Sequence, residues 1–142
     1  MKIVKSSTVL LEDVKIQGAV GTKMRWLIST QDKTPNFVMR LFELEKRGNT
    51  PLHNHNWEHE VYVLEGNGAL KVDEIEYPLS ADDVVYVEPN LKHQFINKGK
   101  EKLKFLCLIP TSGVPGYTAG TPKKDKPKIK NPFANKKSVN NC

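Results

Sequence analysis

Three imidazoles fall within a single seven-residue stretch, at His53, His55 and His59, and an apolar run closed by Gly66 follows directly. The chain has four histidines in all, and the fourth, His93, lies in a second strand-like segment flanked by Pro89 and Asn97. Imidazole is the commonest protein ligand for transition metals, and four on rigid elements hold a divalent ion without any carboxylate or thiolate. Neutral donors leave the metal its full double charge. The ion is then a strong Lewis acid and, if redox-active, has a higher potential than at a site with a carboxylate. Tetrahedral closure would make a structural zinc site, whereas octahedral geometry would leave two positions for water, a bidentate substrate or dioxygen. Donor softness alone admits Zn, Fe, Cu or Ni ahead of Mn.

The elements that must position these rings are strands. Side chains on a strand alternate between faces, so His59, Val61 and Val63 share one face while Glu60, Tyr62 and Leu64 take the other. His53 and His55 have matching parity, as do His93, Phe95 and Asn97. Further strands are expected at Thr8 to Leu11, Lys23 to Ser29, Phe37 to Glu45, Ala69 to Val72, Ile75 to Leu79, Val84 to Val87 and Leu103 to Ile109. Turn chemistry lies between them at Gln31 to Asn36, Arg47-Gly48-Asn49, Gly66-Asn67-Gly68, Asp73-Glu74 and Asn97 to Glu101. Short strands at this spacing, with no convincing helix, predict an all-β antiparallel sandwich or barrel, whose mouth is a usual place for a small-molecule site.

The formal charge of +6 is not spread over the chain. Met1 to Ser112 carries 15 Lys and Arg against 15 Asp and Glu, whereas Gly113 to Cys142 carries seven lysines against Asp125 alone. The folded part therefore lacks the basic body of a nucleic-acid-binding domain, although the basic tail could meet an anionic surface. Residues 1–112 are expected to form the barrel domain. Residues 113–142, rich in Lys, Pro, Gly and Asn, are expected to be a flexible tail, mobile or partly docked. Two cysteines make no disulfide framework, and no apolar run approaches the roughly 18 residues of a membrane span, so a cytoplasmic protein is expected.

On these residues the chain resembles the cupins, the small jelly-roll β-barrel family. The first cupin motif reads Gly, five residues, His-x-His, three or four residues, Glu, six residues, Gly. His53-x-His55 and Gly66 match it, and the register places His59, not Glu60, on the glutamate position; the leading glycine is displaced by one, to Gly48. In the second motif His93 and Asn97 fall in place, while Asp82, Glu88 and Asn90 stand where glycine, proline and glycine are usual. Asp and Asn tolerate the left-handed conformations that such glycines serve. The string around Phe37 to Phe42, Trp57 to Glu60 and Phe105 to Pro110 resembles the single-domain cupins that bind manganese through four histidines. The resemblance implies His53, His55, His59 and His93 as ligands, one divalent metal with Mn favoured over Fe, Zn, Ni or Cu, and a homodimer.

No Asp, Glu, Lys or Tyr has inward parity beside the histidines on the two ligand strands, so no general base is in view. Chemistry at the metal itself is expected, as in a Mn(II)- or Fe(II)-dependent, dioxygenase-like oxidoreductase. The expected pocket lining is Met39, Trp57, Val61, Phe95, Phe105 and Cys107, which favours an aromatic or alkenyl substrate over a sugar phosphate. If the Cys107 face points inward, its thiol sits near the metal. A noncatalytic metal or small-ligand module is the alternative. A metal-dependent isomerase or epimerase would need a carboxylate or tyrosine in the pocket.

Overall fold

Strict alternation of buried and exposed residues on the best-patterned strands fixes which face of each is inside. The computed structural model describes residues 1–117. Its strands are β1 (Glu12–Asp13), β2 (Val20–Ile28), β3 (Phe37–Asn49), β4 (His59–Glu65), β5 (Asn67–Val72), β6 (Ile75–Ser80), β7 (Val84–Val87), β8 (His93–Asn97) and β9 (Leu103–Pro110). They form one curled antiparallel sheet in the order β6-β5-β8-β3-β9-β4-β7, with β2 laid along β3 and β1 along β2. This is the expected all-β jelly-roll half-barrel.

Strand β9 shows the alternation most cleanly, with Leu103, Phe105, Cys107 and Ile109 at 0–2% exposure and their neighbours half-exposed. Its inner residues meet Val38, Phe42 and Leu44 of β3 and Val61 and Val63 of β4 in one apolar core. Phe105 is the centre of that core, stacked on Phe42 at 5.2 Å and on Phe95 at 4.7 Å between ring centroids. Burying side chains of this size contributes about 1.5–3 kcal/mol each.

The turns follow the residue types. Asp73 turns the β5–β6 hairpin at φ 52°, and Asp82 and Asn90 adopt φ 77° and 68°, the left-handed conformation expected where the family usually has glycine. Gly66 has φ 85°, and a Cβ there would lie 2.3 Å from the Lys102 carbonyl oxygen, so the close of the first motif requires glycine.

Two expectations change. Strand β3 continues through Arg47, Gly48 and Asn49, because the extra residues are absorbed in a bulge between the Leu44–Thr22 and Asn49–Val20 pairs, with Arg47 at φ 64°. Thr8 to Leu11 is not a strand. A 3-10 turn at Ser6–Thr8 precedes the two-residue β1 instead. Past residue 112, Gly113 is buried and Val114 packs against the core. The rest of the expected basic tail, 118–142, lies outside the described residues. No helix among the described residues is long and apolar enough to cross a membrane.

Candidate metal centre

Pairing with β8 places the two leading histidines. The segment after β3 lies against β8: the Thr50 amide donates to the Phe95 carbonyl, and the Thr50 hydroxyl accepts from the Phe95 amide, both at 2.9 Å. An antiparallel bridge joins His53 to His93 through two backbone bonds of 2.9 and 3.1 Å. Residues directly opposite each other project to the same side, and His55, two residues on, follows. His59 enters from the first position of β4.

The four rings meet at one point. Their ligand nitrogens lie within 4.8 Å of one another, close to the roughly 4 Å that separates opposite donors on a metal with bonds of about 2 Å. Five of the ring pairs have centroids 4.6–5.1 Å apart and planes inclined at 63–81°, so edges converge where stacking would have turned the nitrogens away.

Hydrogen bonds fix which nitrogen each ring offers. His55 Nδ1 lies 2.8 Å from the Trp57 carbonyl and His93 Nδ1 lies 2.8 Å from the Leu91 carbonyl. A carbonyl only accepts, so both Nδ1 atoms carry the proton and both Nε2 atoms keep their lone pairs. His59 differs. Its Nε2 lies 2.8 Å from His55 Nε2, and its Nδ1 faces Cys107 Sγ at 3.1 Å and Arg40 Nη2 at 3.4 Å. To offer Nε2 to a metal, His59 must hold its proton on Nδ1. Arg40 cannot accept it, which leaves Cys107 Sγ as the acceptor in reach.

Burial keeps the rings neutral. Loss of water holds His59 down at about 2, helped by the Arg40 charge and the neighbouring imidazoles. His53, the most exposed of the four, is lowered to about 4, first by partial burial and then by His93, His55 and Arg40. His55 and His93 are also lowered, chiefly by burial. Neutral nitrogen is what a metal requires, so the donor set fits a divalent transition ion.

The rings open into a cavity of about 180 Å³ lined also by Val14, Met24, Trp26, Arg40, Phe42 and Thr50. Of the expected pocket residues, Trp57, Phe95, Phe105 and Cys107 line it. Met39 and Val61 do not. Met39 has the opposite parity to inward-facing Val38, Arg40 and Phe42, and Val61, though inward, is consumed in the core. Glu60 is exposed and on the face opposite His59.

Sequence reasoning missed Arg40. It stands opposite Cys107 in the β3–β9 register, and its Nη2 donates to Cys107 Sγ at 3.0 Å. Glu43 and Glu45 carried the signal: they mark the odd positions of β3 as the outer face, which turns Arg40 inward.

Trp57 is held between His55 and Gly113. It stacks on His55 at 4.1 Å and 5°, and Gly113 lies against it so closely that a Cβ would approach its indole to 2.8 Å.

Residues 40–109 match the family model described as a cupin domain. The fold superposes on the polyketide cyclase RemF from Streptomyces resistomycificus with a TM-score of 0.75 and 34% identity, covering 78% of this chain and 80% of that one. It is also similar to a predicted oxalate decarboxylase from Thermotoga maritima, with a TM-score of 0.69 and 26% identity over 77% of this chain and 98% of that one. An uncharacterized protein of Methanocaldococcus jannaschii is 36% identical over 59 residues, 41% of this chain and 47% of the relative. The chain thus matches about half the length of that relative.

Proposed function

Because this chain belongs to the cupin superfamily and its barrel gathers four neutral imidazoles, we propose that it is a metal-dependent enzyme, dioxygenase-like, acting on a small organic oxygen donor. The observation that carries this reading is the cavity lining. Among the described residues it contains no Asp, Glu, Lys or Tyr, so these supply no ordinary general base beside the histidines. A bound Mn or Fe would supply Lewis acidity toward oxygen and a redox couple.

The residues' own work is positioning and exclusion. The Trp57 and Leu91 carbonyls hold His55 and His93 in the ligating tautomer, and Trp57, Phe95 and Phe105 keep water from the reacting space. A volume near 180 Å³ admits a body about one ring in size, since a cavity of about 150 Å³ holds benzene.

A second reading, Lewis-acid cyclisation without oxidation, is favoured by the likeness to the polyketide cyclase. One experiment separates the two. The protein is loaded with Mn or Fe and assayed with small diketones and a short polyketone, in air and under argon. Dioxygen uptake coupled to diketone loss supports the oxidoreductase. Turnover of the polyketone under argon supports cyclisation, and tight metal binding with no turnover in either arm leaves a binding module.

The partner we propose for the outer face of the barrel is a second copy of the chain. Strand β7 ends the sheet path, and its Val84 and Tyr86 are 79% and 61% exposed.

A further inference from the structure

Arg40 is a half-buried cation whose Nε is fully buried, and it has no acidic partner among the described residues. None of the ion pairs among the described residues includes it. Its guanidinium carbon lies 5.0 Å from the Phe42 ring centroid and 5.7 Å from that of Trp26, so aromatic faces screen it only partly. Nη2 reaches a thiol and an imidazole nitrogen. Nε reaches nothing: Arg40 Nε and Trp57 Nε1 are the two buried side-chain polar atoms without a partner among the described residues.

Both belong to residues that line the same cavity. Both are also donors, and a donor is satisfied only by an acceptor. The lining has little to offer in return. Thr50 Oγ1 is engaged by the Phe95 amide, and no carboxylate is present among the described lining residues. A positive charge in an apolar space is costly unless paired, so these walls favour a guest that brings both the negative charge and the acceptor oxygens.

We propose that the cavity selects a small organic anion, an apolar body of about one ring bearing a carboxylate or enolate oxygen, and that Arg40 determines this specificity. The inference deepens the proposed function and rests on its reading of the cavity as the substrate site. It narrows the expectation of a small, largely apolar substrate to one that carries an anionic oxygen. The guanidinium binds the anionic oxygen, Trp57 N–H is the further donor available to it, and Met24, Phe42, Phe95 and Phe105 hold the body.

The chain's two tryptophans, Trp26 and Trp57, both line the cavity, so their fluorescence reports occupancy directly. Full-length protein, stripped with EDTA and separately loaded with Mn, is titrated with benzoate and with its neutral isostere benzamide. In the stripped protein benzoate should bind about tenfold more tightly or better, the scale of one charge-assisted hydrogen bond. Arg40→Lys should keep part of that preference. Arg40→Met should abolish it, bringing benzoate affinity down to that of benzamide, with circular dichroism confirming the fold.

Equal affinities in the wild type, a preference that survives Arg40→Met, or no binding of either probe would overturn the proposal. Should the Met variant not fold, the wild-type ratio and the Lys variant decide the matter. The stripped arm involves no metal, so a retained benzoate preference beside failed metal loading would refute the metal reading alone. Loading with Mn but no benzoate preference would refute this inference alone.

Discussion

His59 is the ring on which the candidate metal centre and the protein's interior meet. Its Nε2 faces the other imidazoles and its Nδ1 faces Cys107. Removing it in His59→Ala should lower metal affinity sharply, whereas Glu60→Gln, on the opposite face, should change it little. A calorimetric metal titration showing equal losses would mean the third ligand is misassigned. Cys107→Ala removes the acceptor that holds His59 in its ligating tautomer, and should weaken metal binding about 10- to 100-fold, the range for partners of ligating histidines. Cys107→Ser should recover part of the loss, which a purely packing role would not give. Acid acts on the same rings. In the metal-free protein, His53 at about 4 and His59 at about 2 sit below the ordinary 6.5, so the unfolded chain binds more protons. Their contribution is complete above 6.5 and is lost as pH falls toward 4. The urea midpoint of EDTA-treated protein should therefore drop between pH 7 and pH 5, and a flat profile would refute the assignment.

At the scale of elements, register does the positioning. The His53–His93 bridge gathers three of the four imidazoles onto one side of the β8 pairing, and the Arg40–Cys107 pair sets the cation beside His59. Strand β9 was legible in the sequence because its one charged residue, Lys104, lies on the face opposite Leu103, Phe105, Cys107 and Ile109, and β4 because Val61 and Val63 follow His59 at every second position. The four histidines were legible because two motif spacings converge on them. Strand β3 was harder, since Met39 and Leu41 are apolar on one face and Val38 and Phe42 on the other. Covered by β2 on one edge and β9 on the other, it buries both Leu41 and Phe42, so the period of two is muted where Arg40 sits. Strand β1 gave no signal, because Glu12 and Asp13 are exposed and extended only by pairing with β2. The turn after β9 was read as tail, yet it supports the site. Gly113→Val should push Trp57 off His55, destabilise the fold by about 1–3 kcal/mol as overpacking does, and shift Trp57 emission. Unchanged emission and metal affinity would show that Trp57 is not held by this contact.

For the whole molecule, the question is what covers the outer side of the barrel opposite the cavity. Strand β7 pairs only with β4 among the described residues, which leaves one row of backbone groups open. Natural sheets usually blunt such an edge with charge or proline, but Val84-Val85-Tyr86-Val87 has neither. Tyr62 and Phe37 add exposed apolar surface at 40% and 58%. An edge strand lying beside its own copy across a two-fold axis is antiparallel and self-complementary, so one patch satisfies both partners. The balance of 15 basic and 15 acidic residues over 1–112 removes net repulsion between two barrels. Full-length protein should sediment as a dimer at micromolar concentration. Val84→Lys and Tyr86→Lys should each shift it to monomer, and because neither residue lines the cavity, metal stoichiometry should stay the same. A wild-type monomer, or variants that remain dimeric, would exclude this face as the interface. Metal loss accompanying dissociation would place the subunit contact in the site's own support, since β7 pairs with β4 at His59 itself.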